Sequence, residues 1–126
     1  MNILILDDMV ERHDEFARRY SGNKVVHVFR HNQCIDELAL GGWDLVHLDH
    51  DLGDEIKDAD MTPDGWGKPR LLTGLDVAKW IVGCDDDMLP KQIIIHSVNP
   101  IGGKTMLQTI QSRGIPCVWL PFSKEI

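Results

Sequence analysis

Residues 2–8 read Asn-Ile-Leu-Ile-Leu-Asp-Asp, an apolar run that ends abruptly on two carboxylates. An apolar run without alternation is the pattern of a strand buried on both faces of a parallel sheet. The stretch therefore predicts a central strand over residues 2–6 that delivers Asp7 and Asp8 at its carboxyl end. Next along the chain, Met9, His13, Phe16, Ala17 and Tyr20 recur at helical spacing, and Ser21-Gly22-Asn23 stops that helix. Residues 24–29 predict a second strand. A short helix follows, with Asn32 as its cap, running to about Leu40 and ended by Gly41-Gly42. Residues 43–48 predict a third strand, which delivers Asp49.

Residues 52–72 are polar, rich in Gly, Pro and Asp, and show no period. A loop of that length inside a compact domain is expected to be a functional lid or an ordered excursion. Beyond it, Thr73 is placed to cap a third helix whose buried stripe is Leu75, Ala78 and Ile81/Val82. A fourth strand is predicted over 91–97, a fourth helix over about 103–113 and a last strand over 115–120. Strands and helices alternating in this way predict an α/β fold, a doubly wound parallel sheet of five strands with right-handed crossovers. The expectation is one domain over residues 1–126, with no room after the last strand for a further helix.

The chain has 126 residues, 43% hydrophobic and 26% charged, values that fit a globular domain and exclude a disordered or fibrous chain. No apolar stretch approaches the ~20 residues that span a bilayer, and the N-terminus lacks the basic region and cleavage site of a signal peptide. Three cysteines (Cys34, Cys84 and Cys117) form no paired framework, which predicts a reducing, cytoplasmic setting. A formal net charge of −7 disfavours broad coating of DNA or RNA. It leaves room for a small phosphate ligand held by a metal or a helix end.

In open α/β sheets, ligands bind at the carboxyl ends of the strands. Asp7 and Asp8 close the first strand, Asp49, His50 and Asp51 the third, His96 and Ser97 the fourth, with Asn99 two residues on. Carboxylates gathered in a small space repel one another unless a cation or protonation relieves them. A hard, oxygen-ligated divalent ion such as Mg²⁺, or Mn²⁺, is the natural counter-ion, and imidazoles beside it suit acid–base work near neutral pH. The turn Asn99-Pro100-Ile101-Gly102-Gly103 opens a helix whose N–H groups can face an anion. Taken singly, each group has a structural alternative: a cap, a core histidine or a solvated helix charge. Their coincidence on three strand ends favours a functional crevice for phosphate-ester chemistry.

Other features carry less. Gly102-Gly103-Lys104-Thr105 lacks the leading glycine of a P-loop, since Val98 stands there. Asp85-Asp86-Asp87 reads as a solvated loop. His13, His27, His31 and His47 lack metal-ligand spacing and read as structural. The four tryptophans are too scattered for a base-stacking platform, and the cysteines read as inert.

Leu4-Ile5-Leu6-Asp7-Asp8, Asp44-Leu45-Val46-His47-Leu48-Asp49, Ile93-Ile94-Ile95-His96-Ser97 and Leu120-Pro121-Phe122 together resemble the receiver domain of two-component response regulators. The resemblance implies a flavodoxin- or receiver-like sheet of order 2-1-3-4-5. It departs at three points: Leu120 stands where that family has its lysine, with Lys124 displaced; the usual fifth helix has no counterpart; and His50-Asp51-Leu52-Gly53 replaces the usual turn after Asp49. Leu48-Asp49-His50-Asp51-Leu52-Gly53, with His96-Ser97-Val98-Asn99-Pro100 and Gly103, resembles more narrowly the receiver-derived cyclic-phosphate processing receiver domains. That resemblance implies a hydrolase acting on a cyclic phosphate of a nucleotide or an RNA end.

The resulting expectation is a metal-assisted phosphodiesterase. Asp7, Asp8 and Asp49 bind a divalent cation, Mg²⁺ or Mn²⁺. His50 and His96 divide base and acid, with Asp51 orienting one imidazole. Ser97, Asn99, Gly102 and Gly103 hold phosphate oxygens. Arg12, Trp66, Lys68 and Arg70 contact substrate, the last three from the insert as a lid. Expected partners are a small phosphorylated ligand or an RNA terminus, together with a homodimer or a heterologous protein on a thinly covered sheet face. Two other readings stand beside this one: a degenerate receiver that only binds a partner, and an aspartyl-phosphate phosphatase of the haloacid dehalogenase type, suggested by Asp49-x-Asp51.

Overall fold

A computed structural model of the protein describes residues 1–53 and 61–122. Five strands form one parallel sheet: β1 (Asn2–Leu6), β2 (Lys24–Val28), β3 (Leu45–Leu48), β6 (Ile93–Ile95) and β7 (Cys117–Trp119). Their order is β2-β1-β3-β6-β7, which is 2-1-3-4-5 when only the sheet strands are counted, as the receiver resemblance implies. The connections are α1 (Val10–Arg19), α2 (His31–Leu38), α3 (Gly74–Val82) and α4 (Pro100–Ser112), with a 3₁₀ turn at Asp86–Met88. None of the helices is long and apolar enough to cross a membrane.

Alternation along each strand sorts side chains between two layers. Leu4, Leu6, Val46, Leu48, Ile93, Ile95 and Cys117 face one way and pack with Cys34 and Leu38 of α2, Val77, Ala78 and Ile81 of α3, and Met106 and Ile110 of α4. Ile3, Ile5 and Leu45 face the other way and pack on Phe16 of α1, with Tyr20, Val25, Ile94 and Phe122 around them. On this second side α1 is the single described helix, and Val118 and Leu120 remain 42% and 51% exposed.

The sheet strands end within two residues of the sequence reading, and three other places differ. The insert is not structureless throughout: β4 (Met61–Pro63) and β5 (Pro69–Leu71) form an antiparallel hairpin. Its turn is organised by Asp64, whose Oδ1 accepts from the amides of Trp66 (2.8 Å) and Lys68 (2.9 Å). Three-residue strands, one ending on Pro63 and the other starting at Pro69, are too short to show a period. Residues 54–60 of the insert lie outside the described residues. The second helix begins at His31, and its N-cap position is Arg30 rather than Asn32. The fourth helix begins three residues early, at Pro100, because Asn99 caps it and proline suits a first helical turn. Thr73 caps α3 as expected, in a reciprocal capping box with Asp76.

Candidate functional site

Strand register builds the site. Leu6 pairs with Leu48, and Leu48 with Ile95. One step further along, residues 7, 49 and 96 therefore lie side by side, locked by Asp49 N–H to the Leu6 carbonyl (3.1 Å) and His96 N–H to the Leu48 carbonyl (3.0 Å). All three fall on the α1 side, following Ile5, His47 and Ile94. One ligating atom from each of Asp7, Asp49 and His96 lies within 4.8 Å of the others, and all three residues are buried.

Asp7 is the hub of the row. Its Oδ1 accepts the Met9 amide at 2.8 Å, and its Oδ2 accepts from His96 Nε2 at 2.6 Å and from Arg12 Nη1 at 3.3 Å. An ionised carboxylate only accepts, so His96 Nε2 carries the proton. Burial works to raise the Asp7 carboxyl, but His96, the Met9 amide and Arg12 outweigh it and hold the group below the usual carboxylate range. His96, 2% exposed, is pushed down by burial despite Asp7 beside it. Its Nδ1 has no partner among the described residues.

Asp49, 3% exposed, is pushed up to about 7, first by burial and next by the Asp7 charge, with Arg12 opposing. Arg12 Nη1 lies 3.4 Å from Asp49 Oδ2, so one guanidinium bridges both buried carboxylates. Arg12 is neither a solvated helix charge nor free to meet a ligand in this arrangement. Asp8 lies on the exposed rim beside the row, close over Gly53 and within hydrogen-bonding reach of the Asp7 carboxyl. Burial and the neighbouring Asp7 raise its carboxyl. Among the described residues, the tight cluster of possible ligands is Asp7, Asp49 and His96, and Asp8 of the expected set lies beside it on the rim.

At the rim, His50 Nδ1–H donates to Asp51 Oδ1 (2.8 Å), and Asn99 Nδ2 reaches the same oxygen at 3.4 Å. Asn99 Oδ1 accepts the Gly102 amide at 2.9 Å. The His50 ring lies against Gly102, where a Cβ would come within 2.5 Å of it, and the Trp119 ring lies equally close to Gly103. These two glycines make room for rings. Their amides are already bonded to Asn99, through its side chain for Gly102 and its carbonyl (2.8 Å) for Gly103, so they do not form the expected phosphate cradle. Ser97 is likewise internal: its Oγ accepts the Asn99 amide at 3.1 Å, and its carbonyl accepts Trp119 Nε1 at 2.8 Å. In the insert, Trp66 stands 91% exposed with Lys68 exposed beside it, while Arg70 is held by Asp76 at 2.9 and 3.2 Å. Lys124 lies outside the described residues.

Two features escaped the sequence reading. Gly74 lets α3 start against the Asp49 carbonyl: its amide bonds the His50 carbonyl at 2.9 Å, and a Cβ would overlap Asp49 O. A glycine directly after a threonine cap was the available signal. The second is a histidine layer beneath α1. His13 Nε2–H donates to the Asp7 carbonyl (2.8 Å), which leaves its Nδ1 to accept from His27 Nδ1 (2.7 Å). His47 meets the Tyr20 hydroxyl at 2.5 Å. Burial, then the charges of His96 and Arg19, push His47 down to about 3. Structural roles for these histidines agree with their hydrogen bonding.

The parallel sheet with its acidic row defines a receiver-type domain, and solved structures share that fold. Three of them are NtrX from Brucella abortus in complex with ADP (TM-score 0.61, 20% identity, 98% of this chain and 24% of that one), the CheY-like response regulator receiver domain from Methylobacillus flagellatus (0.62, 15%, 96% and 85%), and a response regulator from Burkholderia pseudomallei with a phosphorylated aspartic acid, calcium ion and citrate (0.63, 15%, 98% and 62%). The chain spans about a quarter of the NtrX chain. Within this class, residues 2–112 match the family model described as "Cyclic-phosphate processing Receiver domain". The chain belongs to that family. No curated protein matches.

Proposed function

We propose that the crevice binds a phosphorylated small molecule or RNA terminus and opens its cyclic phosphate by addition of water. The observation that carries this reading is His50. Its Nδ1–H is given to Asp51, so the ring is fixed in one tautomer one residue beyond Asp49. That leaves Nε2 to accept a proton, the arrangement general-base catalysis needs.

Two buried carboxylates and one imidazole form a donor set that fits a divalent cation, and the imidazole favours Mn²⁺ over Mg²⁺. Asp7 and Asp49 would hold it, joined by His96 once Nε2 gives up the proton it donates to Asp7. The ion would supply Lewis-acid polarisation of a phosphoryl oxygen. His50 Nε2 takes a proton from the attacking water as the new O–P bond forms. The ring P–O bond breaks, and the departing ester oxygen takes its proton from solvent at the mouth. His96, buried and bonded to Asp7, positions the row and does not serve as the acid that touches substrate. Asp8 and Asn99 line the rim. Trp66 and Lys68 supply an aromatic face and a cation from the insert. The three free cysteines suit a reducing, cytoplasmic setting.

The test is a panel of 2′,3′- and 3′,5′-cyclic nucleotides and cyclic-phosphate-ended RNA, with and without Mg²⁺ or Mn²⁺. Turnover of at least one is expected. His50→Ala, with its fold intact, is expected to lose about 10²–10⁴-fold in kcat/KM. Absence of turnover on every substrate overturns the reading and favours a receiver-like binding module. Trapping a beryllofluoride adduct on Asp49 would favour aspartyl-phosphate chemistry.

A further inference from the structure

We propose that Arg12 is the resident cation of the crevice and that its guanidinium and a divalent ion occupy the acidic row by turns. The inference rests on the reading that the row takes such an ion. Its evidence is the position of Nη1, 3.3 Å from Asp7 Oδ2 and 3.4 Å from Asp49 Oδ2. An ion bound by these carboxylates would draw the same oxygens to within about 2.0–2.4 Å of itself. A guanidinium nitrogen bridging both oxygens stands in that space, and two cations repel each other there.

The sequence supplies the reason for an arginine from α1. His96 follows Ile95, which pairs with Trp119, so Leu120 is next in the row. Its amide bonds the Ile95 carbonyl at 2.8 Å. Leucine brings no charge to this edge, and α1 brings one from the other side. Arg12 also has a second support. Its guanidinium carbon lies 5.3 Å from the centre of the Phe122 ring, an aromatic face that accepts a cation, and its side chain is 16% exposed. Ion entry therefore exchanges the two carboxylate contacts for solvent while the ring contact remains, and ion loss restores them. Metal-free protein keeps its row neutralised, and metal affinity is lowered by the exchange.

The experiment compares wild type with Arg12→Gln in two measurements. Mn²⁺ titration followed by electron paramagnetic resonance is expected to show binding at least tenfold tighter in the variant. In wild-type protein, the Arg12 Nε–Hε resonance, assigned through its own side-chain correlations, is expected to shift on saturation with Mg²⁺. Equal Mn²⁺ affinities, or an Arg12 resonance unmoved at saturation, overturn the proposal while leaving the metal reading intact. No Mn²⁺ binding to either protein overturns both. If the variant folds only when Mn²⁺ is present, that outcome supports the exchange. If it does not fold at all, the wild-type resonance decides.

Discussion

The two faces of this sheet are made of the same strands yet hold together by different physics. Toward α2, α3 and α4, the strands present Leu4, Leu6, Val46, Leu48, Ile93 and Ile95 to a dry apolar core. Toward α1, the neighbouring positions are Ile3, Ile5 and Asp7, Leu45, His47 and Asp49, and Ile94 and His96. The buried aspartates and histidines of the described residues (Asp7, His13, His47, Asp49 and His96) all belong to this second side. Burial on the first face stabilises by removing apolar area from water. On the second, each polar group buried without a partner would cost free energy. Stability there depends on hydrogen-bond completeness more than on area. A fold can keep one face as a scaffold and let the other carry chemistry, because alternation isolates the two.

The sharpest way to break this contrast is Asp7→Ala. It strips His96, Arg12 and the Met9 amide of a shared buried partner, and an equilibrium loss of about 3–5 kcal/mol is expected in urea unfolding. Ile95→Ala, on the apolar face, is expected to cost about 2–5 kcal/mol through its cavity. The two should differ in salt and pH dependence, which the cavity variant lacks. Near-neutral stability of Asp7→Ala would show that the row is not held by its pairings.

Asp49→Asn sharpens the contrast through pH. The Asp49 carboxyl rises from 3.8 to about 7 on folding, so between these values the native state binds more protons than the unfolded chain. Its contribution to stability accordingly falls as pH rises through that window, by on the order of 1–4 kcal/mol. His47, pushed from 6.5 down to about 3, works in the opposite sense, its contribution growing as pH rises. The difference between variant and wild type isolates Asp49. Asp49→Asn should gain on wild type from pH 4 to pH 7 in metal-free buffer, and a flat difference would refute the assignment. Asp7, lowered on folding, loses its contribution only as pH falls below the ordinary carboxylate range.

The smallest expected effect is at the rim, where Asn99→Ala removes the α4 cap and the contact to Asp51. A loss of about 0.5–2 kcal/mol is expected by thermal or urea unfolding. A loss well above that would place Asn99 in the buried network instead of at its edge.

Much of the site was legible. Apolar runs ending on Asp7, Asp49 and His96 placed all three at strand ends, and the Asp51 expected beside one imidazole is in contact with His50. The hairpin in the insert was not legible, because three-residue strands bounded by prolines leave no periodic signal. Gly102 and Gly103 were misread because a glycine turn before a helix looks the same whether its missing side chains admit an anion or a ring.

Local pattern by itself determined the alternating elements, the parallel sheet and the carboxyl-edge location of the polar groups, since each of these follows from short-range periodicity and turn chemistry. Only the tertiary structure decided that Asp7, Asp49 and His96 form one buried cluster with Asp8 on its rim, that Arg12 neutralises it, and that His50 rather than His96 faces outward. Those outcomes depend on strand register and on helix packing across the sheet, distances between residues far apart in the chain that no local pattern encodes.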